Sequence, residues 1–334
     1  MIRESNGVKM AIDKDKIKLV LIDNIVWIIC IILYIAFIFL RPQGFLSLQN
    51  IETILRVGSM VGFLVLAEAL VLLTGNMDLS LAQNAGLSAM VGGYVIRVMF
   101  PNLSGWIGII IVVAVGGLLG AINGFLVGKL KYNAFLATLS TYLIFDWATF
   151  WIRRGTIVKL PGIFVAAGDY KIGGVHIAII IFLGVAFLLH LFLTRTEFGL
   201  NVYAIGGNPK TTEMMGIRVD NVILGVFTLA GMLAGLSALI YIGYIGSVTS
   251  LIAQGRIFDA FAGAIIGGIS LRGGRGTILG ALGGIVMLGI IDAGLTMLLI
   301  TPEARGVLNG FVLLIAIAIN MYITKVRDRI LVPR

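Results

Sequence analysis

Ten apolar runs divide the chain, at 19–40, 51–74, 79–100, 106–128, 134–152, 175–193, 222–245, 260–271, 277–299 and 306–323. An α-helix needs about 20 apolar residues to cross the hydrocarbon core, so these runs predict transmembrane helices. The eighth run is short and reads as a half-helix or a broken span. Ten crossings place both termini on one side. One polar island, 194–221, interrupts the pattern and reads RTEFGLNVYAIGGNPKTTEMMGIRVDN from Arg195. Within it Asn208 stands where a helix cap belongs, Pro209 at the first turn and Gly216 just past the end. That order predicts a short, stiff helix over 209–215, because Asn supplies a side-chain acceptor, Pro presets φ and Gly accepts a left-handed stop.

Composition agrees with a membrane class: 59% of the 334 residues are hydrophobic, 12% are charged, and the mean hydropathy is +1.06. A soluble domain carries about twice that share of charge. The net charge of +9 is mostly a topology signal. With both ends cytoplasmic, 16 of the 25 Lys and Arg residues fall on the inner side, which is the expected bias. These charges also suit anionic lipid, and their distribution argues against nucleic acid. The expected organisation is a cytoplasmic segment 1–18, one transmembrane domain 19–323 containing the cytoplasmic loop 194–221, and a cytoplasmic tail 324–334. Arg41-Pro42-Gln43-Gly44, rather than a small-residue cleavage site, follows the first run, which therefore reads as a retained anchor. The single Cys30 excludes a disulfide within one chain, and two histidines, His176 and His190, cannot build a metal cluster.

Glycine is abundant, at 44 residues, and partly periodic. Gly116, Gly120, Gly124 and Gly128 recur every four residues, as do Gly276, Gly280 and Gly284, with shorter versions at Gly231/Gly235 and Gly263/Gly267. Four-residue spacing lays these on one helix face, a groove for a neighbouring helix, since lipid gives helices little apolar reason to associate. Catalytic signatures are missing. There is no Walker-type phosphate loop, no H-E-x-x-H, and Ser88 and Ser237 lack the second glycine of a nucleophile elbow.

Polar groups at span depth need a reason. Glu68 and Asp78 fall toward the inner side, Asp146 and Asp292 in outer halves of spans, and Asp259 near an outer helix end. Asp78 and Asp259 read as helix caps or partners of Arg. Asn84, Asn123, Thr138, Thr141, Asp146, Asp292 and Asn309 are candidates for a polar path suited to a hydroxyl-rich solute. Thr is the weaker pointer because it can bond its own helix backbone.

Five stretches carry a resemblance: Gly75-Asn76-Met77-Asp78-Leu79-Ser80, Ala121-Ile122-Asn123-Gly124, the run from Asn133 to Thr141, Ala204-Ile205-Gly206-Gly207-Asn208-Pro209 through Gly216-Ile217, and the run from Ile266 to Gly276. In this order they resemble the permease subunit of bacterial and archaeal ABC importers for ribose and other simple sugars. The pattern departs from that family at Asn76, Leu81-Ala82, Ser140 and Asp292-Ala293, and the last of these puts the cargo in question. The resemblance implies an all-α polytopic protein of the type II importer kind. It implies a homodimer, or a heterodimer with a similar permease, on two cytoplasmic ATPases, with an extracytoplasmic solute-binding protein delivering the cargo. It implies that this chain is not an enzyme and binds no cofactor, ATP and Mg belonging to the partner ATPase.

On that footing Gly206, Gly207, Asn208, Pro209, Thr212, Met214, Met215 and Gly216 form the ATPase-coupling element. Arg153, Arg154 and Lys159 are candidates for docking the binding protein, or for contact with lipid headgroups. The cargo stays open among a monosaccharide, a nucleoside, a branched-chain amino acid and a sugar-like signal molecule. A secondary transporter working without ATP is the reading from another class. It would call for an ion pair at the midplane and no rigid cytoplasmic helix.

Overall fold

The computed structural model describes residues 24–331. The segment 1–18, the opening of the first run at 19–23, and residues 332–334 lie outside the described residues. Each apolar run contains a helix, and each helix starts or stops where local chemistry requires it. In chain order the helices are α1 (Ile25–Leu40), α2 (Pro42–Phe45), α3 (Leu48–Leu73), α4 (Leu81–Tyr94), α5 (Gly105–Gly124), α6 (Ala134–Ile152), α7 (Gly162–Asp169), α8 (Ile177–Arg195), α9 (Glu197–Gly207), α10 (Pro209–Met214), α11 (Val219–Ile245), α12 (Arg256–Ile266), α13 (Ile278–Met297) and α14 (Pro302–Leu331). π-helical turns extend α4 over Val95–Met99 and α5 over Phe125–Lys129. Side-chain caps mark several starts: Ser47 accepts from Asn50 N, Asn133 from Leu136 N, Thr196 from Gly199 N and Thr277 from Gly280 N. Gly246, at φ +72°, ends α11.

Among the described residues, seven helical stretches are long and apolar enough to cross a membrane: 48–73, 105–129, 134–152, 177–195, 219–245, 278–297 and 304–322. α1, with 16 residues, and α4, with 14, are shorter. The run 260–271 becomes α12, which stops at Ile266, and the turns after this half-helix continue to Gly273 and Gly274 beside Gly206, so the span is broken. The run 175–193 loses its first two residues to a strand. The polar island contains two helices, α9 and α10, where one was expected. α14 continues past 323 to Leu331, so no helix end marks the expected boundary of the tail.

α3, α4 and α11 form the centre. α4 is enclosed by α3, α5, α6 and α11, and all but two of its residues, Val91 and Tyr94, are buried. α5 and α11 pack glycine against glycine. A Cβ added at Gly116 would lie 2.4 Å from Gly231 O, one at Gly120 2.2 Å from Phe227 O, and one at Gly124 2.8 Å from Leu224 Cα. Asn84 ties α4 to this seam by donating from Nδ2 to Gly116 O at 3.0 Å. α12 and α13 repeat the device, with Gly284 against Gly263 O and Gly280 against Gly267 O. Gly276 does not join that stripe. It precedes the helix at φ +131°, beside Ile269, because Thr277 caps the helix after it.

Small antiparallel pairs decorate one end of the bundle. β1 (Thr156–Ile157) pairs with β4 (Val248–Thr249), and β2 (Lys171–Ile172) with β3 (Val175–His176). At the same end, Gly168 of α7 packs on Gly243 of α11, and Arg56 donates to Gly168 O and lies over the Tyr244 ring. Glu52 receives an ion pair from Lys171 at 2.8 Å and approaches His176 Nε2 at 3.3 Å. α10 stands at the opposite end, where Lys129 pairs with Asp220.

Candidate coupling and translocation sites

At the α10 end, the sequence dictates a small rigid helix and the structure forms one. Asn208 Oδ1 accepts from Thr211 N at 3.1 Å, Pro209 takes the first turn, and Gly216 follows the helix at φ +84°. Thr212 turns inward and is buried, its hydroxyl donating to Asn208 O at 2.9 Å. Met214 and Met215 point out, 88% and 72% exposed. Two large thioethers left in water on a short helix form a soft, adaptable contact surface.

The base of this peg is fixed by backbone-to-backbone contact. Gly274 N donates to Leu73 O at 2.9 Å. Gly206 fits against both: a Cβ there would lie 2.0 Å from Leu73 O and 2.1 Å from Gly274 N. A Cβ on Gly273 would meet Gly75 N at 2.6 Å and Gly206 Cα at 2.9 Å. Tyr203 Oη donates to Gly276 O at 3.1 Å. Three distant segments therefore converge: the end of α3, the end of α9 and the turn after α12. The backbone of Gly207 also lies against Gly274, but a Cβ on Gly207 would meet nothing within 4 Å, so an added methyl group is barred at Gly206 and not at Gly207.

From this junction the loop after α3 leads to a buried polar network. Asp78 Oδ1 accepts from Ser80 N at 2.8 Å and Ser80 Oγ at 2.7 Å, which secures the start of α4. Asn123 Nδ2 lies 3.4 and 3.3 Å from the two Asp78 oxygens and donates to Ser80 Oγ at 2.7 Å. Leu79 N donates to Thr138 Oγ1 at 3.1 Å, and Asp78 N approaches Glu68 Oε1 at 3.4 Å. Glu68, Asp78, Asn84, Asn123 and Thr138 are fully buried. Asp78 closes a turn on Ser80, the residue before α4, and does not cap the helix itself, which has no side-chain cap. These bonds make the loop a structural clasp between α3, α5 and α6.

The path residues expected from sequence separate into groups. Asn123 and Thr138 belong to the clasp. Asn84 belongs to the helix seam and also accepts from Ser88 Oγ at 3.1 Å. Thr141 donates to its own helix at Thr138 O, as a helical Thr can. Asp146 is half-buried on α6 and joins none of these groups. Asp292 and Asn309 come together at the end opposite α10, with three charged residues that the sequence reading did not connect to them. Arg256 donates to Asp259 Oδ2 at 2.9 Å, and Asn309 Nδ2 donates to Asp259 Oδ1 at 3.1 Å. Arg305 Nη1 lies 3.6 Å from Asp292 Oδ1 and donates to Thr296 Oγ1 at 2.8 Å. Two cavities, of about 780 and 480 Å³, open here, and Asp292 and Arg305 line both. Arg153, Arg154 and Lys159 are exposed at this same end and form no ion pair among the described residues.

No solved structure matches this chain. Curated relatives span nearly its whole length. It is 31% identical over 309 residues to the fructose import permease of Rhizobium meliloti, covering 90% of this chain and 85% of that protein. It is 29% identical over 331 residues to the galactose/methyl galactoside import permease of Escherichia coli (strain K12), covering 93% and 97%. It is 33% identical over 288 residues to the D-allose transport system permease of the same organism, covering 86% and 87%. The family described as the permease component of the branched-chain amino acid transport system matches residues 50–317, which include the clasp, the peg and the charged cluster, and the chain belongs to that family of membrane permeases.

Proposed function

We propose that this chain is the transmembrane permease subunit of an ATP-driven, binding-protein-dependent importer for a monosaccharide. The observation that carries the coupling part is α10, a capped helix with exposed Met214 and Met215, seated on a backbone-tight junction at Gly206. The relatives named for fructose, galactose and allose support the cargo class. In this reading the α10 end is cytoplasmic, both termini lie on that side and the helical runs make about ten crossings. The peg enters a groove on a separate ATPase, which holds ATP and Mg and does the hydrolysis. A helix laid in a groove is a common recognition mode. Two permeases, alike or merely similar, form the pore, and Arg153, Arg154 and Lys159 meet acidic groups on the binding protein.

The test is uptake by the reconstituted transporter. Met214→Glu together with Gly207→Glu abolishes uptake and ATPase association while the permease still inserts in the membrane. Uphill uptake by permease alone, with no nucleotide-hydrolysing subunit present, overturns the reading.

A further inference from the structure

The cluster opposite α10 holds two cations and two anions, each already partnered: Arg256 with Asp259, and Arg305 with Asp292. Removing four charges from water is costly unless they are paired, and paired they sum to zero. Their hydrogen-bonding capacity is nonetheless far from used. Each guanidinium carries five N–H donors and each carboxylate accepts along about four lone-pair directions. Arg305 Nε is buried without a partner among the described residues, and so is the hydroxyl of Tyr241, on the neighbouring helix α11. Arg256, Asp259, Asp292, Arg305 and Asn309, with their surplus donors and acceptors, line a cavity of about 780 Å³ between α12, α13 and α14, in which Phe258 and Leu313 supply apolar wall. That volume is in the range of small-molecule sites.

A zwitterionic amino acid would need a free carboxylate for its ammonium and a free guanidinium for its carboxylate. Taking it up here would break both ion pairs. An uncharged polyol needs neither, because hydroxyls can accept from spare N–H groups and donate to spare lone pairs while the pairs stay closed. We infer that this cavity is a binding site for an uncharged polyhydroxylated solute, held by Arg256, Asp259, Asp292, Arg305 and Asn309. The inference rests on the import reading above and assigns it a place of first contact. Asp292 and Arg305 also line the neighbouring cavity of about 480 Å³.

The experiment uses the complete transporter in cell membranes, with Gly310→Cys in the permease. Gly310 lines the cavity with open space around its Cα, and the native Cys30 is buried, so a soluble maleimide reads the cavity. Radiolabelled ribose, galactose, fructose, allose and leucine are first tested for uptake. The transported sugar, at ten times its half-saturating concentration, slows labelling about tenfold, as expected for simple occupancy, and leucine does not. Asn309→Leu removes the protection and raises KM with kcat little changed, while Asn309→Gln restores part of it. A sugar that is taken up yet gives no protection overturns the site and leaves the import reading intact. Uptake of leucine with protection by leucine overturns the assigned ligand class. Uptake of none of the five overturns the sugar-import reading itself, and the inference with it.

Discussion

Gly206→Ala adds one methyl group, and the structure gives its cost. The new carbon would stand 2.0 Å from Leu73 O and 2.1 Å from Gly274 N, where ordinary contact needs about 3.5 Å. Both obstacles are backbone atoms and belong to the same hydrogen bond, Gly274 N to Leu73 O at 2.9 Å. No rotamer change relieves the clash, so the end of α9 must retreat by about 1.5 Å or the bond must open. Overpacking costs about 1–3 kcal/mol, and leaving a buried donor and acceptor unmade costs about 1–3 kcal/mol more. The expected loss is therefore about 2–6 kcal/mol of local stability at the junction, enough to detach α10 from α3 for a substantial fraction of the time. Gly207→Ala is the control, since nothing lies within 4 Å of its added carbon. The assay is uptake by the reconstituted transporter, normalised to permease in the membrane. Gly206→Ala falls at least tenfold and Gly207→Ala stays near the parent. Equal activity in the two variants refutes the claim that the peg works through this backbone contact.

Gly120→Ala should lower thermal stability in detergent by about 1–3 kcal/mol, because its methyl would meet Phe227 O at 2.2 Å. Gly184→Ala in α8, with open space around it, should leave stability unchanged or raise it by up to about 1 kcal/mol. Paired melts of the two variants check this. Asn208→Ala removes the cap of α10 and costs that helix about 1 kcal/mol, which lowers uptake, whereas Asn208→Asp preserves the acceptor and most of the activity. His176 is held below the ordinary histidine range, first by burial and then by the cations Arg56 and Lys171, against the opposing pull of Glu52. The fold therefore favours the neutral ring. The stability this contributes is complete above the unfolded pKa of about 6.5 and is lost as pH falls toward the lower folded value. Replacing His176 with Gln should flatten that acid limb in thermal melts taken from about pH 7 downward, and an unchanged limb counts against the assignment.

The legible parts of this chain were those fixed by local rules. Hydropathy located the helices because lipid allows no unsatisfied backbone. Asn208, Pro209 and Gly216 announced α10 because capping is decided within a few residues. The four-residue glycine spacing announced a close seam, although only the structure shows that the partner stripe is Gly231 and Gly235 for one helix and Gly263 and Gly267 for the other. What stayed hidden was long-range. Nothing near Asp292 in sequence names Arg305, and nothing near Asp259 names Asn309, because these meet only when three helices pack. Asn84, Asn123 and Thr138 read in sequence as candidates for a polar path, and in the structure they bond within the clasp and the helix seam. Sequence offered no means of telling a clasp that secures a loop from a surface that meets solute. The junction at Gly75, Gly206 and Gly273 left a faint signal, a glycine in each of three separate motifs.

The enclosure of α4 has a consequence for how the molecule is made. α11 supplies one wall of that enclosure and the mate to the α5 glycine seam, yet five helices, α6 to α10, are synthesised between α5 and α11. The nascent bundle must therefore wait in the bilayer with one wall of α4 open and the α5 glycine track bare. That enclosure closes only when α11 arrives, so truncated chains ending before Val219 should be prime substrates for membrane quality-control proteases.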